Sequence, residues 1–202
     1  MDISATALIM MGYQNDFLLP SGALYSEVAE SSSVEKLKNN TVELVNLVYE
    51  LPLPILFTPM SFSRNFQELP ARVGFANTIR GKNALLRDSF GEETSVELTQ
   101  FGQRIVEMKG KRNYNALNHT KVLDFIADQN IENIVLAGLY TSICIDSTAR
   151  AASDLGLNVV VLSDCTLSRT VFEQKFYCEH ILPLYAQVMD KYQFVHELQM
   201  AA

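Results

Sequence analysis

The chain has 202 residues, 48% hydrophobic and 19% charged, with a formal net charge of -7 at pH 7. That length suits a single domain over residues 1–202 with one sizeable core, and the composition argues against disorder. The acidic balance speaks against nucleic-acid or anionic-membrane binding, and no apolar run approaches the ~20 residues that span a bilayer.

The start, Met1-Asp2-Ile3-Ser4, lacks the basic residues and cleavage site of a secretory signal. Cys144, Cys165 and Cys178 are odd in number and irregular in spacing, so a reduced, cytoplasmic setting is expected rather than a disulfide framework. Thr6 to Met11 is an apolar run that reads as a strand buried on both faces. Val34 to Leu51 carries Leu37, Leu44, Val45, Val48 and Leu51 at helical spacing, closed by Pro52 and Pro54. Pro54 to Thr58 and Ile105 to Met108 read as further strands, and Thr120 is placed to cap a helix through Asp128. The stretch from Ser61 to Phe101 is long for a loop and suits short helices and a lid; no structure is assigned to it.

The second half alternates more plainly. Asn133 to Ala137 is a predicted strand, Ile143 to Leu155 a helix, Asn158 to Leu162 a strand and Arg169 to Ile181 a helix that Pro183 closes. Tyr185 to Met189 is a last strand, and Asp190 with Gln193 forms a capping box for a final helix. Strands that alternate with helices need crossover connections, which gives an α/β chain with a mostly parallel sheet and helices on both faces.

Ligands in such folds sit outside the carboxyl ends of the strands. Three segments fall there: Met11 to Phe17, Lys111 to Leu117 and Gly138 to Cys144. The third leads from a strand through a glycine turn to a cysteine at the opening of a helix. A helix N-terminus stabilises a thiolate, and its N–H groups can hold the oxyanion formed when sulfur attacks a carbonyl. Read singly, Cys144 is more simply a small core residue, Lys111 a surface charge, and Gln14-Asn15-Asp16 the chemistry of a turn.

Taken together, these segments resemble the isochorismatase-like cysteine hydrolases, a group that includes isochorismatases, nicotinamidases and carbamoylsarcosine hydrolases. In that family the first strand ends in an aspartate followed by a Gln-Asn-Asp-Phe run, matched here by Gln14-Asn15-Asp16-Phe17. The family lysine precedes an aromatic–small–Ala–aromatic stretch, which Lys111, Tyr114, Asn115 and Ala116 follow, with Leu117 last. Gly138, Leu139, Thr141 and Cys144 fit the turn before the nucleophile, and Thr148-Ala149-Arg150 and Asp164 fit beyond it.

The resemblance implies a three-layer αβα Rossmann-like fold with a six-stranded, mostly parallel sheet. It implies Cys144 as nucleophile, Lys111 as the charge that tunes it, and an oxyanion site from the N–H groups of Tyr140 and Cys144. A cis peptide between Leu139 and Tyr140 belongs to the same implication. Phe17, Tyr114, Asn118 and Ile143 would line the pocket, and Tyr140 stands where the family has a small residue. A small-molecule substrate or ligand, a homodimer or homotetramer, and no cofactor are also implied.

One position departs. Gly12 stands where the family has the aspartate that takes the thiol proton and returns it to the leaving group. Losing a general acid–base typically costs ~100- to 10,000-fold in rate. Asp16 is held structurally in the family, and Asp146, two residues past Cys144 on a helix, should point elsewhere. The metal motif of the nicotinamidases, Asp-x-His after the second strand, is replaced by Thr58-Pro59-Met60-Ser61, and His119, His180 and His196 are scattered, so no bound metal is expected. Two functions follow as expectations. One is a metal-independent hydrolase of a small amide, ester or related carbonyl compound with a variant site. The other is a pseudoenzyme that serves as a small-molecule binding or regulatory module. A redox-sensing role for Cys144 is a third.

Overall fold

The six residues of β1, Thr6–Met11, are all buried, as a strand with parallel neighbours and helices on both faces requires. In the computed structural model, which describes residues 1–28, 31–69 and 73–200, β1 is central. The other strands are β2 (Ile55–Thr58), β3 (Ile105–Glu107), β4 (Asn133–Leu139), β5 (Asn158–Leu167) and β6 (Gln187–Met189). They form one six-stranded sheet in the order β3-β2-β1-β4-β5-β6, and every pairing is parallel. Progress along the sheet reverses between β1 and β4, and open α/β sheets bind ligands at such a reversal.

The first long helix, α2 (Ser31–Leu47), follows a single helical turn, α1 (Asn15–Leu18), and presents Val34, Leu37, Leu44 and Val45 to the core. It stops short of the expected Leu51. The Arg104 guanidinium donates to the carbonyls of Val48, Tyr49, Leu51 and Leu53 at 2.8–3.0 Å and satisfies the exposed end in place of another turn. The unassigned stretch from Ser61 to Phe101 contains two short helices, α3 (Phe75–Gly81) and α4 (Val96–Thr99). Helix α5 (Val122–Asp128) follows, with Thr120 Oγ1 accepting from the Val122 N–H at 3.2 Å.

The second half departs from the sequence reading in three places. The helix expected from Ile143 opens instead as a π-helical turn, Thr141–Ile145, that runs into α6 (Asp146–Asp154). The helix expected to Ile181 breaks: α7 (Val171–Phe176) continues as a second π turn and a 3₁₀ turn, Leu182–Leu184, that contains Pro183. Strand β5 runs to Leu167, beyond the expected Leu162, because it bulges. Leu136 pairs with Val161 and Gly138 with Thr166, so residues 162–165 face Ala137 alone. Asp164 therefore lies within β5 rather than after it.

The closing helix α8 (Lys191–Met200) has the expected box: the Asp190 N–H donates to Gln193 Oε1 at 2.9 Å and Asp190 Oδ1 accepts from the Gln193 N–H at 2.8 Å. Helices α2 and α8 pack on each other and on β5, and α6 also packs on β5.

Candidate active site

The site forms where β1 and β4 end side by side. Gly138 has a φ of +119°, and a Cβ there would lie 1.8 Å from the Met11 carbonyl oxygen. Only glycine lets the two strand ends come this close. Gly12, one residue past β1, has a φ of +77°, and a Cβ on it would stand 2.8 Å from the Leu139 Cβ. A side chain at position 12 is therefore strained by backbone and neighbour alike. The position is shaped around glycine and is not an aspartate site that has merely lost its carboxylate.

Beyond Gly12, the Gln-Asn-Asp run organises the long segment that the sequence left unread. Gln14 Nε2 donates to the carbonyls of Met60 and Glu92, both at 2.7 Å, and its Oε1 accepts from the Met60 N–H at 3.0 Å. Asn15 Nδ2 donates to the Phe90 carbonyl at 2.9 Å. The Asp16 oxygens accept from the N–H groups of Ala23, at 2.9 Å, and Leu85, at 2.6 Å. Asp16 is thus a scaffold for residues far along the chain and does not serve as a free acid. Asp146 also points elsewhere, as expected, bonded to Arg150 at 3.1 Å and to the Tyr185 hydroxyl.

Two residues that are distant in sequence meet here. Cys144 lies in the π turn after β4, and Lys111 follows β3, its backbone bridged to Met60. Each is 1% exposed, and Lys111 Nζ donates to Cys144 Sγ at 3.5 Å. Among the described residues the sulfur is the only hydrogen-bond or ion-pair partner of that ammonium. A buried lysine needs a polar partner, and the Cys144 sulfur is the group in place beside it. Thr148 fastens the arrangement from α6: its Oγ1 donates to the Cys144 carbonyl at 2.7 Å and accepts from the Ala116 N–H at 3.0 Å.

The peptide bond between Leu139 and Tyr140 is cis. The Tyr140 ring is fully buried and held edge-on by Phe17, centroids 5.7 Å apart, and by Phe75 at 5.1 Å. Its hydroxyl has no hydrogen-bond partner among the described residues, and burial, reinforced by negative charge at Cys144, holds its pKa far above that of an ordinary phenol. Burial also raises Tyr114, while the Ala76 backbone hydrogen-bonds its hydroxyl. Phe17 thus packs on Tyr140, and Tyr114 lies within electrostatic reach of Cys144; Ile143 is half-buried one residue before it, and Asn118 is exposed.

Phe75 and Ala76 of α3 wall the site, and the sequence carried no sign of them. A cleft of about 780 Å³ opens beside Lys111, lined by Pro59, Ser61, Glu92, Glu107 and Lys109 among others. At the end of β2, where a metal motif would fall, Thr58 Oγ1 donates to the Met10 carbonyl. Among the described residues no three His, Cys, Asp or Glu side chains converge to hold a metal.

Residues 6–193 match the isochorismatase domain model. The chain belongs to the isochorismatase family. Nicotinamidase 3 of Arabidopsis thaliana is 22% identical over 160 residues, which cover 79% of this chain and 72% of that protein. A cysteine hydrolase from Pseudomonas syringae pv. phaseolicola 1448A superposes with a TM-score of 0.86 at 17% identity, covering 100% of this chain and 96% of that one. Nicotinamidase PncA from Bacillus subtilis gives 0.76 at 23% identity, over 92% and 99%. At such identities the structural likeness speaks to the isochorismatase fold, and the chemistry has to be argued from the site.

Proposed function

We propose that this isochorismatase-family protein is a cysteine hydrolase acting on a small amide, ester or related carbonyl compound, without a metal. Cys144 is the nucleophile, and its thiolate, paired with Lys111, attacks the carbonyl carbon. The N–H groups of Tyr140 and Cys144 hold the oxyanion, the leaving group departs, and water releases the acid from the thioester. Phe17 and Tyr114 bound the acyl pocket, and Tyr140 narrows it to small groups. The observation that carries this reading is the 3.5 Å contact between Lys111 Nζ and Cys144 Sγ, with both groups buried and, among the described residues, no carboxylate on the lysine. Kinship with proteins named nicotinamidases favours an amide among the candidate substrates.

A second reading, a pseudoenzyme that binds a small molecule, is favoured by Gly12. No acid stands there, and its backbone leaves no room for one. Turnover of a panel of small amides and esters, by the unchanged protein and by Cys144→Ala, decides between the two. Hydrolysis that disappears with the sulfur supports the enzyme. Hydrolysis by neither protein, with a panel member bound and unchanged, supports the binding module.

A further inference from the structure

The two aspartates near the site in sequence are engaged elsewhere: Asp16 with the N–H groups of Ala23 and Leu85, Asp146 with Arg150 and Tyr185. Burial holds the phenols of Tyr140 and Tyr114 protonated, so neither can accept the thiol proton. One titratable group touches the sulfur. Its Nζ has no second hydrogen-bond or ion-pair partner among the described residues.

Resting on the hydrolase reading, we propose that Lys111 is itself the proton shuttle of this site, in a Cys144–Lys111 dyad that replaces the family's aspartate. Neutral Lys111 Nζ takes the Sγ proton, which leaves a thiolate and an ammonium side by side. Sulfur bonds to the carbonyl carbon and the C=O π pair moves onto oxygen. When that pair returns, the bond to the leaving group breaks, and the leaving atom takes its proton from the Lys111 ammonium. The amine, neutral again, accepts a proton from the water that attacks the thioester. That proton passes to Sγ as the C–S bond breaks, and the starting state is restored. Lysine suits this task where arginine does not, because a guanidinium keeps its proton at any working pH.

The test separates charge from proton transfer. Acylation of Cys144 is timed by intact mass with two acetate esters, in the unchanged protein and in Lys111→Arg. p-Nitrophenyl acetate has a leaving group that departs unprotonated, whereas trifluoroethyl acetate releases an alkoxide that needs a proton. Arginine keeps the positive charge but gives up no proton. The variant should lose about tenfold on the first ester and ~100- to 10,000-fold on the second, the usual span for a lost acid–base. Losses by the same factor on both esters, or on neither, would show that Lys111 supplies charge alone and would overturn the proposal. If the arginine variant melts below the unchanged protein, Lys111→Met read on the same two esters carries the comparison. Acylation that fails in the unchanged protein defeats the hydrolase reading, and the dyad with it. Acylation at Cys144 with parallel losses defeats the dyad alone.

Discussion

Two lysines of this protein are buried to nearly the same degree, and their surroundings differ in kind. Lys191 opens α8 at 3% exposure, and its ammonium meets Asp164 Oδ2 at 2.9 Å, Glu43 Oε2 at 3.2 Å and Asn40 Oδ1 at 3.2 Å. Burial alone would push it down, but the bonds and charges of Asp164 and Glu43 outweigh that and hold its pKa above the ordinary lysine value. Lys111, at 1% exposure, meets a sulfur atom and, among the described residues, no carboxylate. A fully compensated lysine is a rivet between α8, β5 and α2. In the proposed hydrolase, the lysine that meets only the Cys144 sulfur is the working part. The lesson is that burial alone does not mark a functional lysine, whereas the identity of its partners does.

The largest effect should come from breaking the Lys111 pair. Cys144→Ala is expected to remove all turnover above background in the panel assay while the protein stays folded. Breaking the other pair should do the opposite. Lys191→Met leaves Asp164 without its ion partner at a half-buried position, and should cost about 2–4 kcal/mol, discounted from a fully buried pair because Glu43 and Asp164 see solvent. A thermal melt should fall by roughly 5–15 °C with kcat within a few-fold of the unchanged protein; a large loss of kcat would erase the distinction between the two lysines.

Gly12→Asp probes the ground between them. With φ at +77° and a 2.8 Å approach to the Leu139 Cβ, the substitution should destabilise by about 2–3 kcal/mol and should not raise activity. A gain in turnover would mean that the strand end relaxes and that the carboxylate was all the site lacked. The cysteines sharpen the comparison further. Burial, with Glu179 adding to it, pushes Cys178 up to about 11. Its alkylation by iodoacetamide should climb about tenfold per pH unit from pH 8 and level off only near that value. Peptide mass mapping of the Cys178 peptide across pH reads that climb directly. The smallest change concerns the rivet's own helix. Asp190→Ala removes the acceptor for the N–H groups of Tyr192 and Gln193 and should cost about 1 kcal/mol, a few degrees of melting temperature.

Much of this architecture can be read from the chain because it is local. The apolar runs of β1 and β4, the capping box at Asp190 and the turn that leads into Cys144 all stand within a few residues of one another. What could not be read depends on partners far away in sequence. Nothing near Asp16 announces that Leu85 closes on it, and nothing near Tyr140 announces Phe75. Helix α2 ends early because of Arg104, 57 positions past Leu47. The π turns at Thr141 and Tyr177 slip an extra residue into otherwise ordinary helical spacing, which periodicity does not register. The resemblance places an aspartate where this sequence has Gly12, yet the positive φ of that residue and its contact with Leu139 emerge only when β1 and β4 lie side by side.

The central claim is that Cys144 does covalent chemistry, and trapping its intermediate tests this most directly. The protein would be quenched in acid during turnover of p-nitrophenyl acetate, digested, and mapped by mass. The account predicts an acetyl group on the Cys144 peptide, absent from those of Cys165 and Cys178. Turnover with the acetyl group elsewhere, or turnover that survives in Cys144→Ala, would contradict it.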